Sequence, residues 1–153
     1  DVAVTMFARR GVGCSLSETY VLSKRDGHWR LLGGGSDTES GDLLADRPPR
    51  LPEEPAYGHS DHTGIDPSIL RLEGSGGVRD SGGRGDWLPW SGRWISYVVL
   101  QVSAQVAALE THGRDLLVPW HGRVVIASTK RRPSLVKVYD NRGQLLGEVL
   151  TQP

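Results

Sequence analysis

The sequence predicts an all-β fold, mainly antiparallel, arranged as a β-sandwich or a partly closed barrel of about eight strands. Three observations predict it: apolar residues recur at every second position, β-branched residues are frequent in those runs, and short glycine-containing turns separate them. A chain of 153 residues suits one domain, so we assign residues 1–153 to a single β domain.

The amino-terminal part predicts three strands, over residues 2–8, 18–24 and 28–33. In residues 2–8, one set of alternate residues is Val2, Val4, Met6 and Ala8, and the other is Ala3, Thr5 and Phe7. A strand would place one set on each of its faces. The Asp-Gly pair at 26–27 accepts the positive φ of a tight turn and predicts a hairpin. The three glycines at 33–35 are predicted to end the third strand, because they have no side chains to pack and leave the backbone unrestrained.

Residues 36–92 are predicted to form a long Gly/Pro-rich insertion, since six of the nine prolines lie there. Insertions of this length in a compact domain are usually functional or disordered, and we expect this one to pack against the body. It carries one predicted short helix over residues 67–73. Asp66 can cap that helix and Pro67 suits its first position.

The remaining strands follow from alternation after the insertion. Seven of the eight even-numbered positions from Trp94 to Ala108 are apolar, which favours a strand over residues 94–110. A helical stripe from Val99 to Leu109 competes, but the β-branched residues favour the strand. Because seventeen residues are too many for one ordinary strand, we expect a bend near Ser103. Further strands are predicted at 115–119, 123–129, 135–140 and 144–149.

The predicted core consists of inward-facing residues of the later strands, with Trp29 packed against them and Trp94 buried where its strand begins. Cys14 is interpreted as a small buried apolar residue and not as a nucleophile. As the only cysteine, it excludes an intrachain disulfide and a cysteine-based zinc cage. The predicted core residues are Val98, Leu100, Val102, Val125, Val136, Val138 and Leu146.

Charge and hydropathy exclude several classes of protein. Lys+Arg and Asp+Glu both number 18, and this balance argues against a globally basic nucleic-acid binder. No apolar run reaches the roughly 20 residues of a membrane span, and no amino-terminal stretch resembles a signal peptide. We therefore expect a cytoplasmic protein. An initiator methionine is not normally removed before aspartate, so we expect the natural chain to be longer, with room for a leader or anchor.

The charges are nevertheless segregated along the chain. Residues 36–66 carry eight acids and two bases, a net charge of −6, whereas residues 114–142 carry seven bases and two acids, a net +5. Such patches attract different partners or each other. The basic triplet at 130–132 is interpreted as a hairpin turn, with phosphate contact as the alternative.

The most unusual segment combines tryptophan with arginine. Arg84, Trp87, Trp90 and Arg93 lie within ten residues, and exposed indole rings flanked by guanidinium groups can stack on flat ligand groups. Alternatively the two tryptophans fold back as a lid over the core. We expect one ring to be buried and the other exposed.

A second candidate site is a histidine-rich loop. His59, Asp61 and His62 combine the imidazole and carboxylate ligands that zinc accepts, although their spacing matches no common signature. A metal site there indicates a metal-dependent hydrolase, whereas the competing interpretation is a solvated turn.

The function predicted from these features is a non-catalytic binding or protein-interaction module that presents the Trp/Arg-rich loop on a β scaffold. The hydrolase is one alternative, and an accessory domain of a larger protein is another. The sequence shows no nucleophile or phosphate-loop motif and indicates no cofactor, so it favours binding over catalysis. The expected partner is a protein or a small ligand.

Overall fold

A computed structural model describes residues 1–39, 41–53, 64–81, 92–129 and 133–151. These residues form ten β-strands and no helix, which confirms the all-β prediction. No helix among them is therefore long and apolar enough to cross a membrane. The strands are β1 (Val2–Arg10), β2 (Ser15–Arg25), β3 (His28–Glu39), β4 (Leu70–Asp80), β5 (Arg93–Val102), β6 (Ala108–Thr111), β7 (Arg114–Leu117), β8 (Arg123–Ser128), β9 (Ser134–Tyr139) and β10 (Leu145–Thr151).

The strands form three antiparallel sheets that do not close into a barrel. The front sheet has the order β1-β2-β3, the central sheet β4-β5-β8, and the rear sheet β10-β9-β6-β7. At the sides of the front and central sheets, β1 lies near β8 and β3 lies near β4. The architecture is therefore sandwich-like, with the central sheet between two others.

β5 lies in the middle of the central sheet and is buried on both faces. Val98, Leu100 and Val102 point to the rear sheet, whereas Ile95 and Val99 point to the front sheet. Strands covered on both sides contain nearly continuous apolar runs, and this explains why the competing helical stripe begins within β5, at Val99 and Val102. The main core is Ile65, Leu70, Val98, Leu100, Val102, Val106, Leu109, Val124, Ile126, Val136, Val138 and Val149.

Most of the predicted core is confirmed. Val98, Leu100, Val102, Val136 and Val138 are buried in it, and Leu146 packs at its margin. Val125 is only half-buried, because it is paired opposite Val99 on the other face of the central sheet. The single strand predicted over residues 94–110 is instead two strands in different sheets, because β5 ends at Val102 and β6 begins at Ala108. The break begins at Ser103, where the bend was expected.

The helix predicted over residues 67–73 is wrong. Asp66 does begin a helix-like turn, in which its Oδ1 accepts the Ser68 N–H at 2.9 Å and its carbonyl accepts the Ile69 N–H at 2.8 Å. The helical conformation ends after one turn because Leu70, which is completely buried, begins β4. The capping signal was correct, but pairing with β5 prevents the helix from continuing.

The three glycines at 33–35 do not end the third strand. β3 continues to Glu39, and its ladder pairs Gly33 with Val21, Gly34 with Tyr20 and Gly35 with Thr19. The preceding hairpin turn is as predicted, with positive φ at both Asp26 and Gly27.

The remaining part of the insertion packs against the body where the structure describes it. Leu43 and Leu51 are buried. The Ala104 N–H donates to the carbonyl of Pro48 at 2.8 Å, and the Leu51 N–H donates to Ser68 at the same distance. The insertion thus covers the bend that follows β5.

Two tryptophans predicted to be buried are half-exposed. Trp29 lies on the outer face of the front sheet, which no other described element covers, and the Lys24 ammonium lies 5.9 Å from its ring centre. Trp94 lies over Gly77, where an added Cβ would come within 2.8 Å of the indole. The Trp94 side chain is on the face of β5 that was predicted, the face toward the rear sheet. The described part of the rear sheet ends near Ser96, beside Ser134.

Candidate functional site

A cleft of about 210 Å³ opens between the front and central sheets. We call it the inter-sheet cleft. Six strands contribute to it, so it is created by the stacking of the sheets and not by one loop. Its walls carry two apolar residues, five hydroxyl groups, four charged groups and two glycines: Met6, Val99, Ser17, Thr19, Ser36, Ser75, Tyr97, Asp37, Glu39, Glu73, Arg123, Gly35 and Gly74.

Glycines in both walls keep this cleft open. Packed sheets ordinarily fill the roughly 10 Å between them with side chains. Among the described residues, a Cβ added at Gly74 would meet no atom within 4 Å, and one added at Gly35 would meet only the Tyr97 hydroxyl, at 3.6 Å. Because neither position supplies a side chain, no described side chain fills the gap between β3 and β4 at these two glycines.

Tyr97 reaches from β5 across β4 into the cleft. A Cβ at Gly76 would lie 2.6 Å from the Tyr97 hydroxyl and 2.7 Å from Cζ, so this position of the ring requires a glycine there. Within the described parts of the chain, the Tyr97 hydroxyl takes part in no hydrogen bond.

Thr19 lies in the front wall and is 8% exposed. Its side chain also forms no hydrogen bond with any residue whose position is described. The residue is buried, but its hydroxyl oxygen is not among the fully enclosed polar atoms without a partner in the described residues, so it keeps some accessible surface. Because Thr19 lines the cleft, this hydroxyl can be reached from the cleft.

Arg123, at the start of β8, links the front sheet to the central sheet at the cleft. Its side chain is only 8% exposed, and Nε and Nη2 donate to the two carboxylate oxygens of Glu73, each at 2.9 Å. Nη2 also donates to Glu39 Oε2 at 2.6 Å, and Nη1 donates to the Leu43 carbonyl at 3.2 Å. The pair with Glu39 joins the basic carboxy-terminal stretch to the acidic insertion, as the charge segregation suggested.

A second ionic cluster lies at the opposite end of the same interface. Asp80 is buried; it accepts a hydrogen bond from Ser23 Oγ at 2.7 Å and pairs with Arg25. Arg93 Nη2 lies 3.6 Å from the same carboxylate. The structure thus places Arg93, a predicted binding residue, beside a buried carboxylate at the beginning of β5.

The other residues predicted to form sites lie outside the described residues. These are Arg84, Trp87 and Trp90 of the Trp/Arg segment, His59, Asp61 and His62 of the histidine loop, and the basic triplet at 130–132. Over the described ranges, no group of three His, Cys, Asp or Glu side chains is placed to hold a metal ion.

The inter-sheet cleft was not predicted from the sequence. Its signal is two glycine-rich stretches inside strands: 33–35, which was predicted to end a strand, and 74–77, which lies in the predicted insertion. A glycine within a strand can mark close approach of another group. That β3 and β4 oppose each other only becomes visible in the three-dimensional arrangement.

The His121 side chain lies next to the backbone of Arg123. Its Nδ1 accepts the Arg123 backbone N–H at 3.1 Å, and its ring meets Trp120 edge to face at 5.1 Å. Burial, and then the positive charges of Arg123 and Arg47, lower the pKa of His121 from the ordinary value of 6.5.

This lowered pKa predicts loss of stability in mild acid. The unfolded chain takes up a proton at His121 near pH 6.5, whereas the folded protein does so only at lower pH. The unfolded state therefore binds more protons in that window, and the free energy of unfolding falls as the pH drops from about 7 to about 5. Urea denaturation should give a shallower pH profile for His121→Gln and the wild-type profile for His28→Gln, which changes an exposed histidine. Identical profiles for all three proteins would contradict the prediction.

Comparisons with protein-family models, curated proteins and solved structures find no match for this chain.

Proposed function

We propose that this protein is a non-catalytic binding module, and that the inter-sheet cleft receives a compact polar ligand or a single side chain of a partner. The observation that carries the proposal is an open cavity lined by Thr19 and Tyr97, whose hydroxyl groups have no partner among the described residues. A polar ligand would supply the missing hydrogen bonds.

The size of the cleft supports a small occupant. Pockets for drug-sized ligands usually have volumes of about 300–1,000 Å³, whereas this cleft has about 210 Å³. One amino-acid side chain or a ligand of similar size would fill it. Met6 and Val99 provide apolar surface for the carbon atoms of such a group.

The charged residues also favour binding over catalysis. Both glutamates of the cleft are hydrogen-bonded to Arg123, and Glu73 is held through both carboxylate oxygens. General acid–base catalysis needs a carboxyl group within reach of the substrate proton. Here the pairing fixes the carboxylates of Glu39 and Glu73 as part of the wall, and Asp37 is the one cleft carboxylate that Arg123 does not pair with.

The Trp/Arg segment remains a separate part of the proposal. It connects Asp80 of β4 to Arg93 of β5, at the ends of these strands opposite to the cleft.

Filling the cleft tests the proposed function. Gly74→Leu places a side chain in the cleft, where an added Cβ meets no atom within 4 Å, and Gly41→Leu is a matched control at another open glycine. We expect both variants to keep wild-type stability within about 0.5 kcal/mol.

The probes are the acetylated amides of arginine, citrulline and glutamate, added separately to ¹⁵N-labelled protein. At least one should shift the amide signals of Thr19, Gly35 and Tyr97 in the wild type and in Gly41→Leu, but not in Gly74→Leu. The proposal would be overturned if no probe shifted these signals, or if Gly74→Leu responded like the wild type.

A further inference from the structure

We propose that the inter-sheet cleft selects a cationic group, a guanidinium or an ammonium, over a neutral group of the same shape. This inference rests on the proposed function and specifies the chemistry of its ligand. The cleft is lined by three carboxylates, Asp37, Glu39 and Glu73, and by one guanidinium, that of Arg123. Its formal charge is therefore −2.

Arg123 has little capacity left to bind an anion. Of the five N–H donors of a guanidinium group, four are used by Glu73, Glu39 and the Leu43 carbonyl. An anionic ligand would be repelled by the carboxylates and would find no pair of unused guanidinium N–H groups on Arg123 to bind it. This arrangement disfavours carboxylate and phosphate ligands.

Asp37 supplies the negative charge that the protein leaves unpaired. Its Oδ1 accepts the Thr38 backbone N–H at 2.7 Å. In the described portion of the chain it forms no ion pair. Asp37 is paired with Ser17 in the ladder between β3 and β2, so its carboxylate lies at the mouth of the cleft.

Thr19 is the second, independent observation that indicates a ligand. The residue is more than nine-tenths buried and lines the cleft, and its hydroxyl keeps some accessible surface and lacks a hydrogen-bond partner among the described residues. A hydroxyl oxygen accepts N–H donors, as does the oxygen of Tyr97. A guanidinium or ammonium group carries several N–H donors and a positive charge, so it satisfies both hydroxyls and the charge of Asp37.

The methylene stem of such a group has a matching surface. Met6 and Val99 lie in the same cleft as the hydroxyls. Long cationic side chains bury their carbon stems on apolar surface while the charged end binds polar groups. Both an arginine or lysine side chain of a partner protein and a free alkylamine have this chemistry.

The test compares the acetylated amides of arginine and citrulline, which have the same shape and differ in charge. We expect arginine to bind the wild type at least about tenfold more tightly, as hydrogen bonds to charged groups predict. Asp37→Asn should reduce this preference to about threefold or less. Glu18→Gln, which removes a carboxylate from the Arg9 pair, should leave it unchanged.

Thr19→Val keeps the shape of the side chain and removes its hydroxyl. It should weaken the binding of arginine amide by about fivefold or more. The cation inference would be overturned by equal binding of citrulline, by tighter binding of the glutamate derivative, or by an unchanged preference in Asp37→Asn. In these cases binding that is still blocked by Gly74→Leu would leave the proposed function intact.

Two further probes distinguish the sources of the cation. Agmatine is a free alkylguanidine, and acetyl-Gly-Arg-Gly-amide presents the same group from a peptide. Tighter binding of the tripeptide supports the cation inference with a partner protein as the source. Tighter binding of agmatine supports it with a small amine as the source. Failure of both to shift the signals of Thr19 and Tyr97 would overturn the inference.

Discussion

Replacing Val102 by aspartate is expected to destabilise the protein by about 4–5 kcal/mol or more, because an unpaired charge would be buried. Val102 has no exposed surface, is paired with Leu70 and belongs to the main core. A loss of this size approaches the whole stability of many domains. Urea denaturation should therefore show a large drop in the midpoint, or no folded baseline.

Leu117→Asp is the matched control for this substitution. Leu117 lies on β7 and is 95% exposed, so the same change of side chain should cost no more than about 0.5 kcal/mol. Equal midpoints for Val102→Asp and the wild type would show that this face of β5 is in contact with water.

Replacing Arg123 by methionine is expected to cost about 3–5 kcal/mol, because Glu39 and Glu73 would lose a buried cation. Arg123 is itself buried, and its pairs connect the front sheet to the central sheet. Adding Glu39→Gln and Glu73→Gln to Arg123→Met should recover much of this loss, since no uncompensated charge then remains.

Arg9→Met provides the comparison for a surface ion pair. Arg9 lies 2.8 Å from Glu18, and its side chain is 62% exposed. Exposed pairs contribute about 0–1 kcal/mol, so thermal and urea denaturation should detect little change. Equal losses for Arg9→Met and Arg123→Met would contradict the structural role assigned to Arg123.

The strands that could be predicted from the sequence are those with a distinct pattern. Alternation located the strands around Val4, Val124 and Val136, and the excessive length of the run after Trp94 indicated the bend at Ser103. β4 was missed because its glycines and the capping residue Asp66 provide local signals for other structures. Only its pairing with β5 overrides those signals.

The burial of Trp29 and Trp94 was predicted wrongly for a different reason. A strand pattern shows which residues share a face, but it does not show how far the neighbouring sheet extends. Trp94 points in the predicted direction but lies beyond the part of β5 that the rear sheet covers. Trp29 lies on a face that no described element covers.

The candidate site could not be predicted because its parts are distant in sequence. Arg123 is 84 residues from Glu39 and 50 residues from Glu73. Thr19 and Tyr97 belong to different sheets, and the polar character of each is unremarkable on its own strand. Only the stacking of β3 on β4 brings the Thr19 hydroxyl, the Asp37 carboxylate and two glycines to one cavity.

The two faces of β5 should respond differently to temperature. Its rear face packs almost entirely through aliphatic side chains, and such contacts weaken on cooling. Its front face is flanked by the Asp80 and Arg123 clusters, and the cost of removing charged groups from water decreases on heating. Cooling should therefore weaken the packing of the rear sheet more than that of the front sheet. At higher temperatures the ionic clusters should contribute a larger fraction of the stability.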